Sequence, residues 1–326
     1  MKKTQKLHRR LGLLAICLTL CCLSACDSDN ADAEQTTQAS TKAETTIQTD
    51  TMKPEVETKP ETKPEAVVYS EGLEFLSLED GTCAILSIGT CTDTHLVIPP
   101  VSPEGDTVIG FVESAFEDCI QLESVVIPET ITYIESDIFI NCVNLENIVL
   151  HDNLLEIYND SFEDSAYYNN PNNWENGVLY VGKHLIDVDP SISGACSIKE
   201  GTLVIASGAF GDCEGVTSVT IPNSVIRIGD HTFTGCDNLT QVSVSNGMTS
   251  IEWGMFQACG NLVQVTIPNS ITEIGAWAFS GCKKLAVINF VGTTSEWEEI
   301  EKSSGWNGEV PSSAVVICSD GTVSVS

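Results

Sequence analysis

Basic residues are scarce in this chain, which has 15 lysines and arginines against 46 aspartates and glutamates and a formal net charge of -31. Those that follow residue 66 are Lys183, Lys199, Arg227, Lys283, Lys284 and Lys302. Such a chain would repel a phosphate backbone rather than bind it through counterion release, so we expect no nucleic-acid partner. The acidity either keeps an exported protein soluble or steers a cation or a basic protein towards it.

Motifs for catalysis and metal binding are also missing. Beyond the N-terminal region the sequence has no C-x-x-C pair, no H-E-x-x-H, no EF-hand loop, no P-loop and no G-x-S-x-G. We therefore expect no enzyme activity, no cofactor and no metal site, and a carbohydrate-processing enzyme with paired carboxylates is a remote alternative. Five tryptophans could stack on sugars, although packing explains several of them equally well: Trp174, Trp253, Trp277, Trp297 and Trp306.

The N-terminus has the pattern of an export signal. A basic stretch between residues 2 and 10 precedes the apolar run Leu11–Leu20 and the segment Leu23-Ser24-Ala25-Cys26. The small residues before Cys26 resemble the lipobox of bacterial lipoproteins, which implies removal of residues 1–25 and attachment to a lipid bilayer through Cys26. An ordinary secretory signal is the alternative, and a transmembrane helix is disfavoured because the run is shorter than the ~18 residues needed to span.

Residues 26–66 are rich in Thr, Glu, Lys and Pro and contain a near-repeat of Glu-Thr-Lys-Pro at 57–60 and 61–64. The segment has too little apolar surface to offset the entropy lost on ordering. We interpret it as a disordered tether that carries the folded part away from the membrane.

A 23-residue repeat dominates the rest of the chain. Each copy has a phenylalanine, then a cysteine three residues later, a leucine-like residue three beyond that, and an apolar strand that often ends in Ile-Pro. The anchors are Phe116, Phe139, Phe162, Phe210, Phe233, Phe256 and Phe279, and the spacing rises from 23 to 48 residues between the third and the fourth. A fixed period predicts stacked coils, so function is expected on a surface rather than in a catalytic pocket.

The strand segments have the L-x-x-L-x-L frame of leucine-rich repeats, as in Leu262-x-x-Val265-x-Ile267-Pro268. The whole unit, best seen at residues 271–282, resembles the BspA-like, or Treponema pallidum-type, leucine-rich repeat family of bacterial surface proteins. The resemblance covers about residues 70–326. It implies a mainly β leucine-rich repeat solenoid of ~23-residue coils, with a role in adhesion.

Breaks in the period predict hairpin caps and an internal hairpin insertion. Turn dipeptides at Asp80-Gly81 and Gly182-Lys183 predict hairpins, and a short helix near 295–302 with a closing hairpin should cap the last coil. After the tether we divide the chain into an N-terminal cap and degenerate first coil (67–118), coils (119–162), an insertion with a hairpin (163–197), coils (198–290) and a C-terminal cap (291–326).

Six cysteines occupy equivalent places in their coils. In an exported protein an even number suggests disulfides, but equivalent side chains in stacked coils point the same way rather than at each other. We predict buried free thiols at Cys119, Cys142, Cys213, Cys236, Cys259 and Cys282. Cys83 and Cys91 flank a turn and are the best candidates for a disulfide.

Alternation along the strands places two columns of residues on the outer side of the sheet. The first column is Val126, Val149, Thr220, Ser243, Thr266 and Asn289, and its neighbour is Ser124, Asn147, Ser218, Gln241, Gln264 and Val287. This small, polar, nearly uncharged surface could hydrogen-bond to a peptide edge or a glycan. Alternatively, Thr, Ser and Asn simply suit exposed strand positions.

The sequence thus predicts an exported, lipid-anchored monomer at the bacterial cell surface that binds a host or neighbouring-cell protein or glycan, with adhesion implied by the family resemblance. A structural envelope scaffold without a specific ligand is the alternative. A protein partner is preferred over a glycan because the two columns contain almost no aromatic residue.

Overall fold

The computed structural model describes residues 67–325. The predicted signal peptide at 1–25, the lipid-attachment residue Cys26 and the tether at 26–66 lie outside these described residues. The described chain is mainly β, as predicted, and its coils stack through short parallel strands.

An antiparallel hairpin precedes the first coil. The strands of this region are β1 (Glu74–Ser77), β2 (Thr82–Ser87), β3 (His95–Val97) and β4 (Thr107–Phe111). β1 and β2 pair with Phe75 opposite Ile85. The turn between them is held by Asp80, whose carboxylate accepts the backbone N–H of Thr82 at 3.0 Å. β2 also runs parallel to β4, so the hairpin is joined directly to the first coil.

Each regular coil contributes one strand to each of two faces, which we call the strand face and the second face. The next strands are β5 (Ser124–Val126), β6 (Tyr133–Ile134), β7 (Asn147–Val149) and β8 (Glu156–Ile157). β3, β5 and β7 form a parallel sheet on the strand face, whereas β6 and β8 pair on the second face. The isoleucines that end β6 and β8 are fully buried, because the repeat turns them into the core between the two faces.

The insertion begins where the period breaks. Its elements are a 3₁₀ turn (Asn159–Phe162), α1 (Ala166–Asn169), a second 3₁₀ turn (Pro171–Asn173), β9 (Trp174–Glu175), β10 (Val178–Val181) and β11 (His184–Val188). β10 and β11 form an antiparallel hairpin about Gly182-Lys183. Ser165, which replaces the repeat cysteine, caps α1 by accepting the Tyr168 N–H at 3.1 Å.

Regular coils then resume. Their strands are β12 (Gly194–Ser197), β13 (Val204–Ile205), β14 (Val216–Thr220), β15 (Arg227–Ile228), β16 (Gln241–Ser243), β17 (Ser250–Ile251), β18 (Gln264–Pro268), β19 (Glu273–Ile274) and β20 (Val287–Val291). The C-terminal cap contains α2 (Thr294–Glu299), β21 (Glu301–Lys302), β22 (Val315–Ile317) and β23 (Thr322–Ser324).

The sheets follow the two faces of the coils. On the strand face, a seven-stranded sheet has the order β12-β14-β16-β18-β20-β22-β23, and its last pair is the antiparallel closing hairpin. On the second face, β15-β13-β11-β10-β9 form a five-stranded sheet that includes the insertion hairpin, and β17-β19-β21 form another sheet.

The cap helix is shorter than the predicted segment 295–302. It begins at Thr294 with a capping box, in which the Thr293 side chain accepts the Glu296 N–H and the Glu296 carboxylate accepts the Thr293 N–H. It ends at Glu299 because Ile300 adopts an extended conformation and is buried in the core. Residues 301–302 then pair with β19 instead of continuing the helix.

A stack of phenylalanine rings forms the centre of the core. All seven repeat phenylalanines are fully buried. Ring centroids are 5.1 Å apart for Phe116 and Phe139, and 5.5 Å apart for Phe233 and Phe256. Neighbouring coils therefore contact each other through equivalent rings, which is the packing expected of a repeat array.

The cysteines of the described chain are all free and buried. The prediction of buried free thiols at the six repeat cysteines is confirmed, whereas Cys83 and Cys91 do not pair in the structure. The repeat thiols point at the backbone of the preceding coil: the Cys236 Sγ is 3.1 Å from the Phe210 carbonyl oxygen, and the Cys282 Sγ is 3.1 Å from that of Phe256. The thiols of Cys142, Cys236, Cys259 and Cys282 thus donate along the stack to a carbonyl of the preceding coil and do not point at one another.

Candidate interaction surface

The two predicted columns lie on the outer side of the strand face, in register across neighbouring strands. Before the insertion, Ser124 is opposite Asn147 and Val126 is opposite Val149. The same rows begin one strand earlier, at His95 and Val97.

After the insertion the rows continue over the seven-stranded sheet. One row contains Ala195, Ser218, Gln241, Gln264, Val287 and Val315, and the other contains Ser197, Thr220, Ser243, Thr266, Asn289 and Ile317. These side chains are exposed or half-buried. The outer residues of β12 and β22 were missed because neither strand has the full repeat pattern.

Both columns are interrupted at the insertion. β7 and β12 lie in separate sheets, so Val149 is not followed by Thr220 in the row. Ser197 of β12 is the residue beside Thr220. The insertion causes the break, because residues 159–188 form turns, α1 and the hairpin between the two runs of coils. The strand face therefore has two separate polar surfaces, and the one over β12–β22 is the longer.

The second face differs from the strand face because it contains partly buried carboxylates. Burial and the nearby charge of Asp230 raise the pKa of Glu156 to about 7, although a hydrogen bond from the Ser207 hydroxyl at 2.9 Å acts in the opposite direction. Burial and the charge of Glu252 raise the pKa of Asp230 to about 6. Arg227 lies 3.6 Å from Glu252 and offsets part of this repulsion. The group can take up protons near neutral pH, a property that the repeat pattern does not reveal.

An aromatic row lies at the end of the second face, formed by His231, Trp253 and Trp277. The His231 and Trp253 ring centroids are 4.3 Å apart, and those of Trp253 and Trp277 are 5.4 Å apart. Both tryptophans are exposed, at 42% and 46%. The sequence contained a signal for this row, because Trp253 lies three residues before Phe256 and Trp277 lies two before Phe279.

The other tryptophans pack inside the protein. Trp297 and Trp306 are buried in the C-terminal cap, and Trp174 is half-buried with its ring at 5.2 Å from that of Tyr168 in the insertion. These three positions are therefore explained by packing, and only the pair in the aromatic row faces solvent.

Within residues 67–325, histidines, cysteines and carboxylates form no group of three or more that could hold a metal ion. His184 is buried and its Nε2 lies 3.0 Å from the carbonyl oxygen of His151, which fixes the ring inside the insertion. The same residues contain no helix of the length and apolarity needed to cross a bilayer.

The sequence pattern of the BspA-type leucine-rich repeat region matches this chain in six copies, over residues 103–186 and 196–304. The chain belongs to the BspA-type leucine-rich repeat family. The match covers more than half of the sequence and includes both runs of coils and most of the insertion hairpin. Among curated proteins, none matches the sequence.

Several solved structures are similar to this BspA-type chain. A T. pallidum leucine-rich repeat protein is 23% identical, over 66% of this chain and 88% of its own, with a TM-score of 0.33. A leucine-rich cell surface protein from Faecalibacterium prausnitzii is 18% identical, over 74% of this chain and 99% of its own, with a TM-score of 0.34. The pneumococcal vaccine antigen PcpA is 12% identical, over 79% of this chain and 94% of its own, with a TM-score of 0.38.

Proposed function

We propose that this protein is a lipid-anchored cell-surface protein that binds a protein partner through the polar rows of the strand face and acts in adhesion. The observation that carries the proposal is the register of those rows over β12–β22. Equivalent side chains repeat from strand to strand without a charged residue among them, on a chain with a net charge of -31.

The chemistry of the rows suits a protein partner. Ser218, Gln241 and Gln264 present hydroxyl and amide groups on successive strands, and Thr220, Ser243 and Thr266 do so in the neighbouring row. Such groups both donate and accept hydrogen bonds, so they can match an extended peptide without requiring one charge.

A stacked-coil array also supplies an extended surface that a compact domain of similar mass lacks. The rows contain no aromatic ring besides His95 at their N-terminal end, so they offer little stacking surface to a sugar. The described strand face therefore favours a protein over a glycan as the partner.

The anchor is proposed from the sequence of residues 1–26. A lipidated Cys26 would hold the protein at the membrane, and residues 26–66 would separate the coils from it. A Cys26→Ser substitution should release the protein into the medium or leave its precursor unprocessed, as seen by fractionation and by mass spectrometry of the N-terminus. Normal processing and membrane retention of this variant would refute lipid attachment.

The strand-face proposal is tested with the full chain displayed on cells. Binding to host matrix proteins, host glycans and envelope fractions is compared for the natural chain and for a triple variant, Thr220→Glu, Ser243→Glu and Thr266→Glu. Three carboxylates in one row should repel one another and disrupt the surface, so we expect at least a tenfold loss of binding to a protein ligand.

A matched control adds three carboxylates elsewhere, at the exposed residues Ser191, Ser312 and Ser313. The control should bind as the natural chain does. Equal binding by the triple variant would exclude the strand face as the site. Loss of binding by both variants would indicate a general charge effect, and binding to none of the three ligand classes would favour the scaffold hypothesis.

A further inference from the structure

The aromatic row on the second face lies apart from the polar rows and has no role in the core. Its two tryptophans each keep more than two fifths of their surface exposed, whereas every repeat phenylalanine is fully buried. Exposed tryptophan side by side with exposed tryptophan is uncommon on a protein surface and marks interaction sites.

The backbone at Trp277 adopts a conformation that is strained for a tryptophan. Its φ is 57°, in the left-handed region, and the equivalent places in earlier coils are filled by Gly208, His231 and Gly254. Glycine and short polar residues tolerate this conformation, but a bulky aromatic residue there is a true outlier. A tryptophan that neither suits its backbone nor fills the core requires another reason to be there.

The neighbouring glycines make room for the rings. A Cβ atom on Gly254 would lie 2.4 Å from the ring of His231, and one on Gly305 would lie 3.1 Å from the Trp277 ring. The rings of His231 and Trp277 therefore each pack against a glycine of the next coil, where no side chain blocks them. Packing against these glycines therefore holds the three rings at defined positions.

Charge around the row indicates the class of ligand. The carboxylate of Asp230 accepts the backbone N–H of Trp253 at 3.1 Å, and Glu252 precedes Trp253 in the chain. Arg227 lies 3.6 Å from Glu252 and forms an ion pair with it. Burial lowers the pKa of His231, so this ring is neutral at neutral pH and adds no positive charge to the row.

We propose that the aromatic row is a binding site for a basic polypeptide segment, with lysine or arginine side chains stacking on Trp253 and Trp277. An ammonium or guanidinium group is attracted to the face of an indole ring and to the carboxylates beside it. The strong net negative charge of the chain would draw the same ligand in. This site is separate from the strand face, and its ligand need not be the adhesion partner.

The test uses the purified full chain at physiological ionic strength, where exposed charges more than ~8 Å apart are screened. The probe is a twelve-residue peptide of alternating glycine and lysine, and its affinity is measured by calorimetry. The same peptide with acetylated lysines has the same length without the charge. A neutral hexasaccharide of N-acetylglucosamine tests the other ligand class that stacks on indole rings.

Four variants give the decisive comparison. The double variant with Trp253→Ala and Trp277→Asn should bind the lysine peptide about 5- to 30-fold more weakly, because it loses two exposed cation–π contacts. Trp253→Phe keeps a ring at the first position and should retain the affinity within about threefold. The matched control is Tyr69→Ala, which removes an aromatic side chain exposed to 44% in the N-terminal cap and should change nothing.

The thermal midpoint separates binding from packing. Asparagine tolerates a positive φ, so Trp277→Asn should keep or raise the thermal midpoint of the natural chain while lowering its affinity for the lysine peptide. Equal affinity of the natural chain and the double tryptophan variant would overturn the proposal, as would equal binding of the acetylated peptide. Tryptophan-dependent binding of the hexasaccharide alone would overturn it in favour of a glycan site, and binding of neither probe would also overturn it.

Discussion

Replacing Glu156 with glutamine should stabilise the protein at pH 8 and leave it unchanged at pH 4. Burial on the second face and the charge of Asp230 raise the pKa of Glu156 from 4.5 to about 7. A carboxyl group whose pKa is higher in the folded state binds more protons there than in the unfolded chain. Stability is therefore fully present below about pH 4.5 and falls as the pH rises towards 7.

The magnitude follows from the size of the shift. One pKa unit corresponds to about 1.4 kcal/mol, so ionised Glu156 destabilises the fold by about 1–3 kcal/mol, with the lower value applying if the site relaxes around the charge. Glutamine has nearly the same shape, carries no charge and can still accept the hydrogen bond from the Ser207 hydroxyl. For a folded region of this size we expect the Tm to rise by about 2–10 °C at pH 8.

The assay is thermal unfolding followed by circular dichroism between pH 4 and 8. The control is Glu146→Gln, which neutralises an exposed carboxylate beside β7 and should leave the midpoint unchanged at every pH. A variant that is less stable than the natural chain at pH 8 would refute the reasoning. So would a difference between natural and variant chains that stays constant from pH 4 to pH 8, because the effect would not then come from ionisation.

Two predictions concern the core. Phe233→Ala removes a fully buried ring from the phenylalanine stack and should lower the free energy of unfolding by about 3–5 kcal/mol, measured by urea titration. The control Ile226→Ala, at an exposed position, should change this free energy little. Equal losses for the two variants would contradict the role of the stack. Burial raises the pKa of the Cys142 and Cys282 thiols to about 12, so peptide mapping should find them unmodified by iodoacetamide at pH 8 until denaturant is added. Rapid labelling of the native chain would show that these coils open.

The repeat pattern predicted most of the fold because one physical requirement recurs in every coil. Phe233 and Phe256 occupy the same place in successive copies of the repeat. Stacking of the coils buries both rings in equivalent environments, which is why one sequence pattern serves every copy. Cysteine spacing predicted free thiols for the same reason. What the pattern lacked was the hydrogen-bond partner of each thiol, since the carbonyl that Cys236 reaches belongs to the preceding coil.

The candidate surfaces were predicted less well because they depend on how coils are joined. The rows of the strand face followed from alternation, but their division at Val149 depends on where the insertion places its hairpin. The aromatic row was not predicted, since Trp253 and Trp277 occupy places one residue apart in their coils and the positive φ of Trp277 is not visible in the repeat pattern. Alternation and period describe the inside of a coil, and neither specifies which turn residues meet outside it.

The insertion hairpin also has a consequence for how such a chain can change over generations. On the second face, β11 of the hairpin pairs with β13, so the later coils stack on the insertion hairpin. Each coil beyond it contacts only its neighbours, so recombination between copies could add or delete a unit of 23 residues without altering either cap. The length of the polar rows can then change between generations by whole coils.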